Sequence, residues 1–356
     1  MKALILWAEP ASKNLGVRAL SEGTASLLRR ALPGVELSFQ GFGPGDAPVR
    51  IGSPRKQALR ALAPRTELLD WVRGFDLVVD TGAGDSFADI YGLRRLLTMS
   101  LMGEIVGRAG VPLVLGPQTI GPFETRRGRV LARRTLRRSA LVMARDVQSA
   151  TEAERVGRPA DLLTTDVVFA LDSVARTGGR DVVVNPSGLL WHPNPHVDFQ
   201  RYRSTVRELC TELVRQGREL SFIAHVLDSP LVDNDVPVVT ELATEFSAER
   251  LVPTDLSDVR RMLASAHLIV GSRMHACLNA LSVGTPAIPL AYSRKFEPLL
   301  AALGWNHTVD VRTGDDHVEQ ALAAVHAPAL DENARSVKAR AEQRLVEAER
   351  ALRDVV

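Results

Sequence analysis

Cysteine is nearly absent: Cys210 and Cys277 are the two thiols in 356 residues. Neither sits in a CxxC pair or a His/Cys cluster. That spacing excludes a disulfide framework and a thiolate zinc site, and predicts a reducing compartment. Long apolar runs are also missing. No stretch reaches the roughly 20 residues that a membrane-spanning helix needs. The opening MKALILWAEP is too short in its apolar run for a signal peptide and reads as a first strand. A cytoplasmic protein is expected, with the inner face of a membrane as a place for it to rest.

Charge of one sign is lacking as well. Lys and Arg number 44 and Asp and Glu 42, a net charge of +2, so no nucleic-acid partner is expected. One local exception is the run Arg126, Arg127, Arg129, Arg133, Arg134, Arg137 and Arg138. It reads either as a solvated helix face or as a contact for anionic lipid or a lipid-linked phosphate. Aromatics are 5% of the chain, so the core must be Leu, Val, Ala and Ile. No His/Asp/Glu spacing suggests a metal site, and none is expected.

What is present is alternation. Short apolar runs at Ala3–Trp7, Val35–Phe39, Leu77–Asp80, Leu113–Leu115 and Leu141–Ala144 are separated by helical patterns near Val17–Leu32, Leu93–Gly107 and Arg126–Arg138. The pattern restarts with strands at Val182–Asn185, Ser221–His225, Arg250–Val252, Leu268–Val270 and Ala287–Leu290, and helices near Phe199–Gln216, Val236–Phe246 and Ser257–Ala266. Apolar strands alternating with amphipathic helices predict parallel sheets covered on both faces. The polar segment Asp172–Arg180 reads as a linker. The expected organisation is an α/β protein with two Rossmann-like domains facing a cleft: residues 1–172, 173–330, and a charged C-terminal helix over 331–356.

The most informative stretch is Leu268–Leu300, LIVGSRMHACLNALSVGTPAIPLAYSRKFEPLL. It reads as strand, turn at Gly271, helix, and second strand, with Lys295 just beyond. Ser272 is the expected cap, and Arg273 and His275 fall in the first helical turn. A helix N-terminus offers unpaired N–H groups and a partial positive charge, so Arg273 beside it makes an anion cradle. His275 adds a group that gives or takes a proton near neutral pH. Anion plus proton donor suggests phosphoryl or enolpyruvyl chemistry. A salt bridge for Arg273 and a core position for His275 are the structural alternatives.

Ligands of such sheets bind beyond the C-terminal strand ends. There the first half offers Asn14 in NLG, Asp85 and Asp89 in TGAGDSFAD, Gln118 in GPQTIGPF, and Arg145 in ARD. TGAGD lacks the third glycine of a dinucleotide fingerprint and the GK[ST] of a P-loop. It can serve sugar hydroxyls or simple turn chemistry. Arg145 reads as an anion ligand, with Asp146 as a helix cap. The second half offers Asn185, Ser187, His225 and Asp235.

In order, NLG, TGAGD, GPQTIGPF, ARDVQSATEAERVG, IAHV with Asp235, and GSRMHACLNALSVGTPAIPLAYSRKFEPLL resemble the polysaccharide pyruvyl transferases. The set extends to about Gly304, and GSRMHA with ARD is its most specific part. The resemblance implies a GT-B-type fold, phosphoenolpyruvate as co-substrate with no cofactor, and a sugar acceptor, free or lipid-linked. The product implied is a cyclic pyruvate ketal, with phosphate released. It places donor binding on Arg145 and Arg273, with Lys295 at a matching basic position, and catalysis on His275; Ser272, as the expected cap of that helix, joins the donor-binding set. Asn14, Asp85, Gln118 and His225 remain for the acceptor or the cleft. Family members often carry an acidic residue after the NLG glycine, and this chain has Val17. Two other functions share the fold: a glycosyltransferase using a nucleotide sugar, and a non-catalytic sugar-binding member, which Val17 favours.

Overall fold

The computed structural model describes residues 1–43, 45–228 and 232–356. The chain forms two compact units. One comprises Met1–Ala11, Leu20–Leu171 and Ala341–Val356, and the other Ser12–Ala19 and Asp172–Arg340. The expected linker therefore starts at the division, between Leu171 and Asp172. Two segments lie elsewhere than their place in the chain suggests. The NLG segment belongs to the second unit, and the C-terminal helix is shared.

The first unit runs β1 (Lys2–Leu6), α1 (Leu15–Ala31), β2 (Glu36–Gln40), α2 (Pro54–Leu62), α3 (Glu67–Val72), β3 (Leu77–Asp80), α4 (Leu93–Ala109), β4 (Leu113–Gln118), α5 (Arg126–Arg138), β5 (Leu141–Ala144), α6 (Val147–Arg155) and β6 (Leu162–Leu163). The sheet order is β2-β1-β3-β4-β5-β6, with every described pair parallel. β3, β4 and β5 are buried at every position, as expected for central strands covered on both faces. Caps mark the helix starts. Thr125 accepts from Gly128 N at α5, and Asp146 from Ser149 N at α6, as its sequence position predicts.

The second unit runs β7 (Arg180–Asn185), α7 (Gly188–Trp191), α8 (Phe199–Arg215), β8 (Leu220–Ile223), α9 (Val236–Glu245), β9 (Glu249–Leu251), α10 (Leu256–Ala264), β10 (Ala266–Gly271), α11 (Met274–Ser282), β11 (Ala287–Ala291), α12 (Phe296–Ala301), β12 (Val309–Asp310), α13 (His317–Val325) and α14 (Leu330–Arg353). Its order is β12-β11-β10-β7-β8-β9. The chain starts at the centre with β7, runs outward through β8 and β9, then returns to the other side of β7 with β10. That reversal is the topological switch point of a doubly wound sheet, where ligands bind beyond the carboxyl ends of the strands. Here those ends are Asn185 and Gly271, paired in register. The last turns of α14 brace the first unit: Arg353 Nε donates to Ala31 O at 3.1 Å, and Glu349 faces Arg30 at 3.6 Å.

Candidate functional site

The switch point of the second unit is built on one asparagine. Asn185 ends β7. Its backbone oxygen accepts from Ser272 N at 2.9 Å, its side-chain oxygen from Arg273 N at 3.1 Å, and its amide donates to Ile223 O at 2.8 Å. The start of α11 is thereby fixed to β7 and β8. Ser272, expected to cap α11, does not: Arg273 occupies the cap position, with no side-chain bond to the helix. The Ser272 hydroxyl instead accepts from Tyr202 Oη at 2.6 Å, and both residues are buried. A buried hydroxyl takes the partner within reach.

Arg273 is also placed differently from expectation. Nε and Nη2 donate to Asp235 Oδ1 at 3.1 and 2.7 Å, and Nη2 also donates to Asp233 O. Arg273 is 8% exposed and Asp235 is fully buried. Burial alone would lower the arginine's pKa, but the Asp235 carboxylate outweighs it and the net shift is upward. Asp235 Oδ1 further accepts from Gly188 N at 2.8 Å. Its Oδ2 accepts from His225 N at 3.1 Å and Val226 N at 2.9 Å. One carboxylate thus gathers the loops after β7, β8 and β10, and Arg273 balances its charge.

His275 lies in the first turn of α11, as expected, and is half-buried. Asn279, one turn later on the same face, donates from Nδ2 to His275 O at 2.7 Å, and the same nitrogen lies 3.3 Å from His225 Nε2. Arg260 Nη1 reaches Asn279 Oδ1 at 3.3 Å, which sets the amide's orientation. An amide nitrogen only donates, so His225 Nε2 is the lone-pair nitrogen. Burial, reinforced by His275 and Arg273, holds the His225 pKa well below the usual value. His225 is therefore a neutral, fixed imidazole and a poor proton donor.

The NLG segment docks on this cluster. Leu15 N donates to His225 O at 3.0 Å, Leu227 N to Lys13 O at 2.8 Å, and Asn14 pairs with Val226. Asn14 Oδ1 accepts from Gly16 N at 2.9 Å. A β-carbon on Gly16 would stand 3.0 Å from His275 Nδ1 and 3.1 Å from Asn14 Oδ1. A side chain here would press on the imidazole, which would have to give by a few tenths of an ångström. So the second unit brings Asn14, His225, Arg273 and His275 together. Lys295 caps α12 in the same unit, half-buried, and its charge adds to burial in lowering the pKa of His196.

The first unit holds the other expected residues. Arg145 is 1% exposed, and Nη1 meets Asp166 Oδ2 at 2.9 Å, while Nε has no hydrogen-bond partner. Gln118 is fully buried with neither side-chain polar atom partnered, against Gly82. Asp85 accepts from Tyr91 Oη at 2.9 Å. Asp89, weighed for sugar hydroxyls, instead receives Glu124 N at 2.9 Å and Thr125 N and Oγ1 at 2.7 Å. Burial would raise its pKa, but those three donors prevail and lower it. Asp80 is the opposite case. Burial pushes its carboxyl up to about 6 despite hydrogen bonds from Trp7 Nε1 at 2.8 Å and Gly82 N at 2.7 Å. Among the described residues, no group of three His, Cys, Asp or Glu is placed to hold a metal ion.

Asn279, Tyr202 and Arg260 were not foreseen. Asn279 had a signal, its four-residue spacing from His275. The other two had none.

A family model for polysaccharide pyruvyl transferases matches residues 14–294, most of the chain. The chain belongs to that family. A curated relative, the amylovoran biosynthesis protein AmsJ of Erwinia amylovora, is 22% identical over 265 residues, which cover 67% of this chain and 62% of AmsJ. The match thus spans less than two thirds of that relative. Among solved structures, an S. aureus MnaA–UDP co-structure superposes with a TM-score of 0.58 at 12% identity, over 100% of this chain and 97% of the other. A UDP-GlcNAc 2-epimerase from Methanocaldococcus jannaschii gives 0.57 at 13%, over 92% of each. A Thermobaculum terrenum O-GlcNAc transferase mutant gives 0.51 at 15%, over 100% and 68%. These likenesses show the fold, which is of the GT-B type. The family model shows the family alone; amylovoran biosynthesis is the role that the relative's name gives to AmsJ.

Proposed function

We propose that this chain transfers pyruvate from phosphoenolpyruvate to two hydroxyls of a sugar in a polysaccharide or glycolipid precursor, forming a cyclic ketal and releasing phosphate. The observation that carries the reading is His275: a half-buried imidazole in the first turn of α11, at the switch point, inside a chain of this family. In this reading His275 protonates the methylene carbon of the donor. Carbon 2 becomes oxocarbenium-like, and one sugar hydroxyl attacks it as its proton is removed. The second hydroxyl then displaces phosphate and closes the ring.

The donor carries a carboxylate and a phosphate, and its recognition calls for cations and free N–H groups. The N-terminal end of α11, with its partial positive charge, is assigned to the donor. Lys295 is the proposed cation of the second unit; Arg145, which the first unit holds against Asp166 at 2.9 Å and Asp146 at 3.9 Å, is proposed separately as an anion ligand. Arg273 is a positioning residue in this account, because its guanidinium is engaged with Asp235. Asn14, Asp85 and Gln118 are assigned to the acceptor, with Gln118 offering both a donor and an acceptor atom. His225 serves as a neutral neighbour that keeps a second positive charge away from His275. No step calls for a metal.

Phosphate release from phosphoenolpyruvate, measured against a panel of sugar acceptors, tests the reading. Acceptor-dependent release supports it. Turnover of a nucleotide sugar with phosphoenolpyruvate untouched would replace it with glycosyl transfer. Sugar binding with neither reaction would leave a binding protein.

A further inference from the structure

The basic run of α5 remains outside the catalytic account. At 100° per residue, Arg126, Val130, Arg133 and Arg137 fall on one narrow face of the helix, and all four are exposed. Arg134 and Arg138 lie to one side, where Glu104 of α4 takes both at distances up to 3.0 Å. The opposite face, with Ala132, Thr135 and Leu136, is buried. The outward stripe is therefore a row of guanidinium groups around one apolar side chain, and Val130 is 61% exposed.

A second apolar element adjoins it. Asp89 caps the loop at the start of α5 through Glu124 and Thr125, as described above. The two residues after Asp89, Ile90 and Tyr91, are 45% and 44% exposed. Ile90 and Tyr91 are thus exposed in the loop that Asp89 ties to the start of α5, the end of the helix that carries Arg126. The whole chain carries a net charge of only +2, so this concentration is local rather than a general basic surface.

We infer that the outer face of α5, with the Ile90–Tyr91 loop, docks on an anionic lipid bilayer. The occupant follows from the combination. Arginines alone would suit any polyanion, but exposed Ile90 and Val130 gain nothing from nucleic-acid phosphates. At a lipid interface they leave water while the guanidinium groups meet headgroup phosphates and Tyr91 sits at headgroup depth. No helix among the described residues is long and apolar enough to cross a membrane, so the contact is with the surface. The inference concerns where the chain sits and stands apart from the assignment of its reaction.

The test is co-sedimentation of the full chain with vesicles of phosphatidylcholine alone, or of phosphatidylcholine with phosphatidylglycerol. Binding is expected to the anionic vesicles only, and to weaken with salt over the range set by a Debye length of about 8–10 Å. Each surface arginine is worth about five-fold in partitioning. The triple variant Arg126→Gln, Arg133→Gln, Arg137→Gln should therefore lose on the order of 100-fold. Val130→Ser should weaken vesicle binding and leave binding to a soluble polyanion such as heparin unchanged. Circular-dichroism melts establish that each variant is folded, and Val130→Ser alone decides the matter where the triple variant is not. Equal binding to neutral vesicles would overturn the inference. So would full binding by the variants, or equal affinity for single-stranded RNA with no effect of Val130→Ser.

Discussion

If Arg273 balances Asp235 rather than gripping the donor, its removal should appear first in stability. Arg273→Met keeps the length of the side chain and deletes the charge. Asp235 then stays buried, with only the backbone N–H groups of Gly188, His225 and Val226 to hold it. Breaking a buried ion pair from one side costs about 3–5 kcal/mol, and the three remaining donors argue for the lower end. For a unit of this length, about 3 kcal/mol lowers Tm by roughly 6–12 °C. Asp235→Asn should cost a comparable amount. The double variant should cost less than the sum, with a coupling of about 1–3 kcal/mol. Urea denaturation of the ligand-free protein, as a double-mutant cycle, measures all three. A donor-binding arginine would behave otherwise. Arg273→Met would then melt within about 0.5 kcal/mol of the parent, and phosphoenolpyruvate affinity would fall by about 1.5–3 kcal/mol. That pattern, or additivity in the cycle, would refute the positioning role.

Other outcomes follow from the same geometry. His275→Gln should cut turnover by about 10²–10⁴-fold with donor affinity and Tm nearly unchanged; turnover within a few-fold of the parent would remove His275 as the acid. His225 has its folded pKa depressed by burial, so below about 6.5 the unfolded chain takes up a proton that the folded chain refuses. Stability should therefore be full above that pH and fall by about 1.4 kcal/mol per unit below it, and His225→Gln should flatten the slope in acid melts. Arg145→Ala should weaken donor binding in calorimetry, and unchanged affinity would take Arg145 out of the site. Turnover should survive a chelator; loss restored by magnesium or manganese would contradict the metal-free scheme.

Much of the architecture was legible because parallel strands buried on both faces must be apolar throughout. β3, β5 and α5 fall on their expected residues, and the other elements given bounds in the sequence lie within a few, while α13 had no counterpart. β6 and β12 are two residues each, too short to leave a periodic signal. α2 and α3 lie beside a Gly- and Pro-rich loop that masks their pattern. At the site, the placement of His275 followed from a local strand–turn–helix motif. The partners of Arg273 did not. Asp235 is 38 positions away in sequence, and only the switch in strand order brings β10 beside β7 and the loop after β8. The docking of NLG on the second unit was hidden for the same reason: it is a long-range contact of a segment that locally reads as a helix start.

The measurement that bears most directly on the central claim is the product of a reaction with phosphoenolpyruvate labelled at carbon 2. Nuclear magnetic resonance should show that label moving from an enol carbon to a ketal carbon on the sugar, with one phosphate released per ketal formed, and this should fail with His275→Gln. Phosphate released while the label appears as free pyruvate, or a label that stays in the donor with every acceptor, would contradict pyruvyl transfer.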